Sequence, residues 1–323
     1  MREDHKGNTT IKTEKSKKSN ILIPIVNKLL PIAISVVLMA AMCPDISQAA
    51  ETEEKPQEIN IRLWVKKATA RTITMKWSRV KGAAKYYVYR AKGGLSKLKK
   101  YKTIPAAKRT YRDAAVSTKK KYYYVVKAKT QDGLGESGYI VKPKVRGNFK
   151  KGSPYGPYLS SKQLKKLKDI LANIVCKYQT EQLSQKDKIY FAHDYIAYRT
   201  SYSTGGVQVA SALGPLKYGK AHCQGYSRAF VALASAMGVR SKYIHASASA
   251  SNPAHQWNMV KLRGKWYLID VQCNDSSGFD AVFLMGRDRL KGGFKKAYRS
   301  NKRGKPKLAK KSFPARDYYF TFK

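Results

Sequence analysis

The chain has 323 residues, with 65 Lys or Arg against 20 Asp or Glu, a formal charge of +45. Such a field draws polyanions, and binding of this kind falls steeply with salt. No helix-turn-helix, zinc-finger or RNP-like signature accompanies the charge, so a specific nucleic-acid reader is excluded. Of four cysteines, one lies in the N-terminal segment; the odd number left excludes a disulfide framework.

The N-terminus runs through a charged stretch to Lys28, then largely apolar residues Leu29 to Met42, then Ser47-Gln48-Ala49 with small residues at cleavage-type positions. This pattern predicts an export signal over residues 1–49, which engages the membrane during translocation. The apolar run is short for a span of roughly 20 residues. Cleavage would remove seven basic and four acidic residues, leaving +42 and the cysteines Cys176, Cys223 and Cys273. The expected location is therefore outside the cell, at the envelope, where the abundant polyanions are cell-surface polymers.

What remains is long enough for two domains, and Pro143, Gly147, Gly152, Pro154, Gly156 and Pro157 mark a joint, giving domains at 58–146 and 160–323 with a linker at 147–159. In the first half Ile73, Met75 and Trp77 alternate with Thr72, Thr74 and Lys76. Tyr86 and Val88 alternate with Tyr87 and Tyr89, and Tyr122, Tyr124, Val126 and Ala128 with Tyr123, Val125 and Lys127. Gly82, Gly93-Gly94 and Asp132-Gly133 punctuate these runs, predicting a β-sandwich of short strands.

Beyond the joint, Ser160-x-x-Gln163 and Ser184-x-x-Asp187 open two predicted helices with capping boxes. Cys176 falls on the apolar face of the first. Cys223 precedes Ser227, Phe230, Val231, Leu233, Ala234 and Met237, a buried helical face ending at Gly238. A thiol at a helix N-terminus meets unpaired N–H groups and the positive end of the dipole, which favour a thiolate and a developing oxyanion. His255 opens a predicted strand to Leu262, Arg263-Gly264 a turn, and Lys265 to Val271 the return strand. A two-residue loop makes Asp270 the diagonal neighbour of His255 on one face; a three-residue loop puts it on the other. Lys291 to Lys311 holds ten basic residues and no acid, predicting a mobile basic arm.

Cys223, His255 and Asp270 are the nucleophile, base and orienter that thiol attack on an amide requires. His222, His193 and His245 are the rival bases; each reads as structural or solvent-facing. No Cys-x-x-Cys or His-x-x-x-His spacing occurs and no EF-hand-like acidic spacing, so neither zinc nor calcium, and no other cofactor, is expected.

From about Leu164 to Leu290 the sequence resembles the transglutaminase-like cysteine enzymes, a superfamily with a papain-like α+β core. The match rests on the helix Lys186-Asp187-Lys188-Ile189-Tyr190-Phe191-Ala192-His193-Asp194-Tyr195-Ile196, the elbow Cys223-Gln224-Gly225-Tyr226 and the strand His255-Gln256-Trp257-Asn258. It continues through Gly264-Lys265-Trp266-Tyr267 before Asp270, then Asn274-Asp275 and Phe283-Leu284. The resemblance implies Cys223 as nucleophile, His255 as general base and acid, and Asp270 as orienter. Ala221 stands where the family commonly has Gly and Gln272 where it has Thr. The upstream side chain that often completes the oxyanion hole has no matching position.

Glu58 to Val145 resembles a fibronectin type III domain through Trp77, Ala84-Lys85-Tyr86-Tyr87-Val88-Tyr89-Arg90, Tyr111-Arg112-Asp113, Tyr122-Tyr123-Tyr124-Val125-Val126 and Gly135-Glu136-Ser137. This implies a spacer or adhesive module, its tyrosines serving as core and sheet surface. The whole is similar to a secreted bacterial-type transglutaminase-like enzyme with such a module. The expected activity is acyl transfer or hydrolysis at protein or peptide amides; the alternative is a catalytically silent adhesion or binding protein of the envelope. Oligomeric state is not legible.

Overall fold

The computed structural model describes residues 59–156, 158–246, 254–299 and 305–322, with the backbone of Asn20–Ile21. The expected export segment apart from those two residues, Glu58, Pro157 and residues 300–304 of the basic segment lie outside the described residues. No described helix is long and apolar enough to cross a membrane.

The alternation in the first half builds two antiparallel sheets. Leu63–Ala68, Ile73–Trp77 and Thr110–Asp113 form the smaller. The larger runs Lys99–Pro105, Lys85–Lys92, Tyr122–Lys129, Leu134–Glu136, with Ile140–Lys142 also on Tyr122–Lys129. Ile73, Met75, Trp77, Val88, Tyr124 and Val126 are wholly buried between them, as period-two patterning requires. Tyr86 and Tyr122 join that core, while Tyr87, Tyr89 and Tyr123 are half-buried on the outer face. The Tyr124 hydroxyl donates to Asp113 at 2.8 Å; Arg90 and the Ala115 amide donate to the same carboxylate, so this buried acid is fully paired.

Helix α1, Ser161–Lys177, begins with a complete capping box. Gln163 N donates to Ser160 Oγ and the Gln163 side chain accepts from Ser160 N. Its apolar face, Leu164, Leu167, Leu171 and Val175, is buried. Helix α2, Gln185–Arg199, is capped by Ser184, which accepts from Asp187 N. Helix α3, Cys223–Ala236, carries the buried Phe230, Val231, Leu233 and Ala234 and ends before Gly238 at φ +82°. It packs on a three-stranded antiparallel sheet ordered Ser241–Ala246, His255–Leu262, Lys265–Ile269.

The two halves are not separate beads. Asn173 and Asp169 on α1 accept from Ala68 N and Ala70 N at 2.9 Å each, and Gln179 accepts from Val141 N at 2.6 Å. Lys121 pairs with Glu181 across the same junction. The Pro- and Gly-rich joint is itself packed: Ser153, Tyr155 and Leu159 are buried, and the core runs through Val145, Tyr155 and Leu159 into α1. A stretch whose composition reads as linker is thus an inner surface, because Tyr155 and Leu159 bury apolar area between the halves.

Two local expectations are corrected. The return strand ends at Ile269 rather than Val271; Val271–Ser277 is helix α4, and Asp270 is its N-cap. Asp270 Oδ1 accepts from Cys273 N at 3.1 Å, and satisfying that donor favours leaving the ladder at this residue. The basic segment is not simply a loop. Gly292–Ala297 within it form helix α5, and Tyr298 just after the helix is 7% exposed.

Candidate active site

Cys223 is the first residue of α3. The N-cap is His222, whose Nδ1 accepts from Gln224 N at 3.3 Å and whose carbonyl accepts from Gly225 N at 2.9 Å. Burial and the nearby Arg228 lower the pKa of His222, which favours the neutral imidazole, the form that can accept. His222 is thereby a structural cap. Gly225 is required by close approach: a Cβ there would lie 2.2 Å from the Val209 carbonyl oxygen and 2.6 Å from Ala221 Cβ.

The hairpin sets His255. Leu262 pairs with Lys265, so the loop is the two residues Arg263-Gly264, with φ of +48° and +79°. Two positive φ angles define the turn type that matches strand twist. Asn258 pairs with Ile269, leaving Asp270 one residue past the ladder. The strand is tied to α3 by Ser227 Oγ donating to Gln256 O at 2.9 Å and Asn258 Nδ2 donating to Ser227 O at 2.9 Å. These bonds set the spacing between the thiol and the imidazole.

His255 Nε2 lies 2.6 Å from Asp270 Oδ2, and the Cys223 side chain is within hydrogen-bonding reach of the same imidazole. The fold therefore brings together all three residues expected from the sequence. Burial works against an imidazolium at His255, but the bonds to Asp270 and Cys223 outweigh it and push its pKa up to about 10. Asp270 is 1% exposed. Cys223 Sγ also donates to Gln256 Oε1 at 2.8 Å.

His193 does not join the group, and His245 is an exposed residue of the strand Ser241–Ala246, opposite Gln256. His193 is buried on α2, its Nδ1 2.8 Å from Asp194 and its Nε2 3.0 Å from Asn274 Nδ2. Asn274 Oδ1 accepts from Val282 N at 2.8 Å, so this network anchors α4 and, through it, Asp270. Cys176 is fully buried and burial pushes its thiol up to about 12. Cys273 is half-buried beside Tyr298 and Asp270, its thiol raised by burial. Among the described residues no three His, Cys, Asp or Glu side chains are grouped to hold a metal ion.

Two site residues escaped the sequence reading. Gln256 follows His255 on a strand, so alternation assigns it to the opposite face, yet its Oε1 accepts from the sulfur. Tyr298 lay hidden in a lysine-rich run. Its hydroxyl donates to Asp270 Oδ2 at 2.9 Å, and its ring meets Trp257 edge-on at 5.2 Å and His255 at 6.0 Å. The pair Phe294 and Tyr298, at helical spacing and 6.4 Å between rings, is the signal that marks this segment as folded. Tyr298→Phe is expected to lower turnover about tenfold, since one hydrogen bond to a charged group contributes roughly 1.5–3 kcal/mol and only part acts in the transition state. Steady-state kinetics of the variant check this; unaltered kcat would show that Tyr298 only fills space.

The sequence pattern of the Transglutaminase-like superfamily matches residues 171–271, so this part of the chain is a transglutaminase-like domain. That span contains Cys223, His255 and Asp270. No curated protein matches the chain. Among solved structures, an FN3 domain of human collagen XX aligns at 14% identity over 31% of this chain and 97% of that one, TM-score 0.23. An Fn3-like protein from Clostridium thermocellum aligns at 26% identity over 26% of this chain and 86% of that one, TM-score 0.21. Pectate lyase PelI from Erwinia chrysanthemi aligns at 19% identity and TM-score 0.24 over 25% of this chain. The match covers 28% of the lyase's length.

Proposed function

We propose that this protein is an exported thiol enzyme that acts on amides of protein or peptide substrates, with the sheet-rich N-terminal half as a fibronectin type III-like spacer. The observation that carries the reading is the line from the Cys223 thiol through the His255 imidazole to the buried Asp270 carboxylate. In the reaction the Cys223 thiolate adds to the amide carbonyl. The Cys223 amide, which as the first helical N–H lacks an intrahelical partner, meets the oxyanion. His255, held as imidazolium, gives its proton to the departing amine as the C–N bond breaks, leaving a thioester. Water or a primary amine, deprotonated by His255, then attacks the thioester and restores the thiol. The high positive charge holds the enzyme at anionic cell-surface polymers.

A glutamine peptide with a labelled primary amine tests the reading. Incorporation of label means transfer, ammonia release without label means hydrolysis, and neither product with any peptide amide favours the silent binding protein.

The pH dependence follows from the imidazolium. Because the His255 pKa is raised, the protonated form persists through neutrality and its acid function is lost as pH rises through about 10. The associated folding stabilisation is fully present below the ordinary histidine value near 6.5 and disappears over the same alkaline rise. The expected kcat/KM profile has a basic limb near pH 10. In Asp270→Asn that limb moves toward neutrality; an unmoved limb would assign it to another group.

A further inference from the structure

A cavity of about 420 Å³ lies between α3 and the strand Ser241–Ala246, lined in part by Arg228, Ser241, Tyr243 and Lys305. No acidic residue lines it. Arg228 and Ser241 line it, and within these two side chains Arg228 Nε and Ser241 Oγ are buried without a hydrogen-bond partner. Burying such donors unpaired costs free energy, and a small shift of side chains that line a cavity would let a ligand oxygen complete the pairing. The Arg228 guanidinium is held over the Tyr243 ring at 4.6 Å, which fixes its plane.

Arg228 is five residues along α3 from Cys223, roughly 7–8 Å of helix rise. Burial raises the Tyr243 phenol, Arg228 opposes the rise, and the Cys223 sulfur is near enough to add to it. The strand carrying Ser241 and Tyr243 is an edge strand, paired on one side with His255–Leu262 and, among the described residues, with no strand on the other. An extended peptide added along that edge would run past the cavity toward the sulfur.

We propose that this cavity is a subsite for a carboxylate carried on an extended peptide substrate, with Arg228 Nε–H and the Ser241 hydroxyl as its donors. The proposal rests on the amide-directed reading above. A guanidinium N–H beside a hydroxyl offers two donors to the two oxygens of a planar carboxylate. Val231 and Ile244 on the same wall take the methylenes of an aspartyl or glutamyl side chain, contacts that a bare phosphate does not make. Lys305 adds positive potential at the rim.

The test uses seven-residue peptides on an Ala/Gly background, each with one glutamine as acyl donor and Glu or Gln scanned over three positions on either side. Affinity is measured by fluorescence anisotropy on full-length Cys223→Ala protein at 0.15 M salt, about physiological ionic strength, so binding is read without turnover. At one scanned position the Glu peptide should bind at least about tenfold tighter than its Gln twin. In the Arg228→Gln background that preference should fall below about threefold while the Gln peptide binds as before. Ser241→Ala, a smaller change, should weaken the preference in the same direction if Arg228→Gln does not fold.

Equal affinity of the twins, or a preference that survives Arg228→Gln but vanishes in Lys295→Gln/Lys296→Gln, would overturn the subsite in favour of undirected charge. An Arg228-dependent site that binds a glycerol-phosphate polymer more tightly than any Glu peptide would overturn the peptide assignment. The underlying reading is separated by turnover in the native protein. Glu peptides that bind through Arg228 but yield no product leave the subsite standing without the enzyme, and neutral peptides processed as fast as acidic ones leave the enzyme without the subsite.

Discussion

Cys223→Ala is expected to abolish turnover, a loss of roughly 10⁴-fold or more in kcat, with the fold retained. The thiol donates to Gln256, acts electrostatically on His255, and only part of its surface is buried. Its removal therefore deletes the attacking atom while sparing the packing of α3, which rests on Phe230, Val231 and Leu233. Cys176→Ala is the matching control. That sulfur lies in the core with its thiol pushed up to about 12, so the substitution should lower the unfolding midpoint and leave turnover unchanged. Mass spectrometry after brief iodoacetamide treatment at neutral pH should find Cys223 labelled ahead of Cys176 and Cys273. Undiminished activity in Cys223→Ala, or faster labelling of Cys273, would remove the thiol mechanism.

Asp270→Ala should produce the largest combined loss of activity and stability. The carboxylate takes three donors: His255 Nε2 at 2.6 Å, the Tyr298 hydroxyl at 2.9 Å and the Cys273 amide at 3.1 Å. Deleting it leaves the partly buried His255 without its counter-charge, uncaps α4 and leaves a phenol hydroxyl unpaired. Breaking a buried pair from one side costs about 3–5 kcal/mol, and losing the orienter of the imidazole costs up to about 10⁴ in kcat. Asp270→Asn separates the two effects. Asn is a good N-cap and should recover most of the α4 contribution in urea unfolding. It should not recover turnover, because a neutral amide does not sustain the imidazolium. Full activity in Asp270→Asn would show that the carboxylate serves the fold alone.

How much of this was legible differs from element to element. Ser160 and Ser184 announced their helices because capping is a matter of residues three apart, and the same locality made the apolar face of α3 readable. Arg263-Gly264 was readable as a turn, but the two-residue loop that decides parity appeared only in the register of Leu262 with Lys265. The backbone at Asp270 was not legible in the same way. A strand pattern running to Val271 is indistinguishable in sequence from one that ends at an N-cap, until the unpaired first-turn amide of α4 is seen to need an acceptor.

The sequence by itself determined what depends on neighbours along the chain: the alternating strands of the first half, the helix starts and the cysteine at a helix N-terminus. Tertiary structure decided what depends on residues brought together from afar. Tyr298 reaches Asp270 across 28 positions and Gln256 reaches Cys223 across 33, and Tyr155 closes the junction between the halves. No periodicity encodes such pairings, because each arises only when separate apolar faces find one another and carry their polar side chains to a common point.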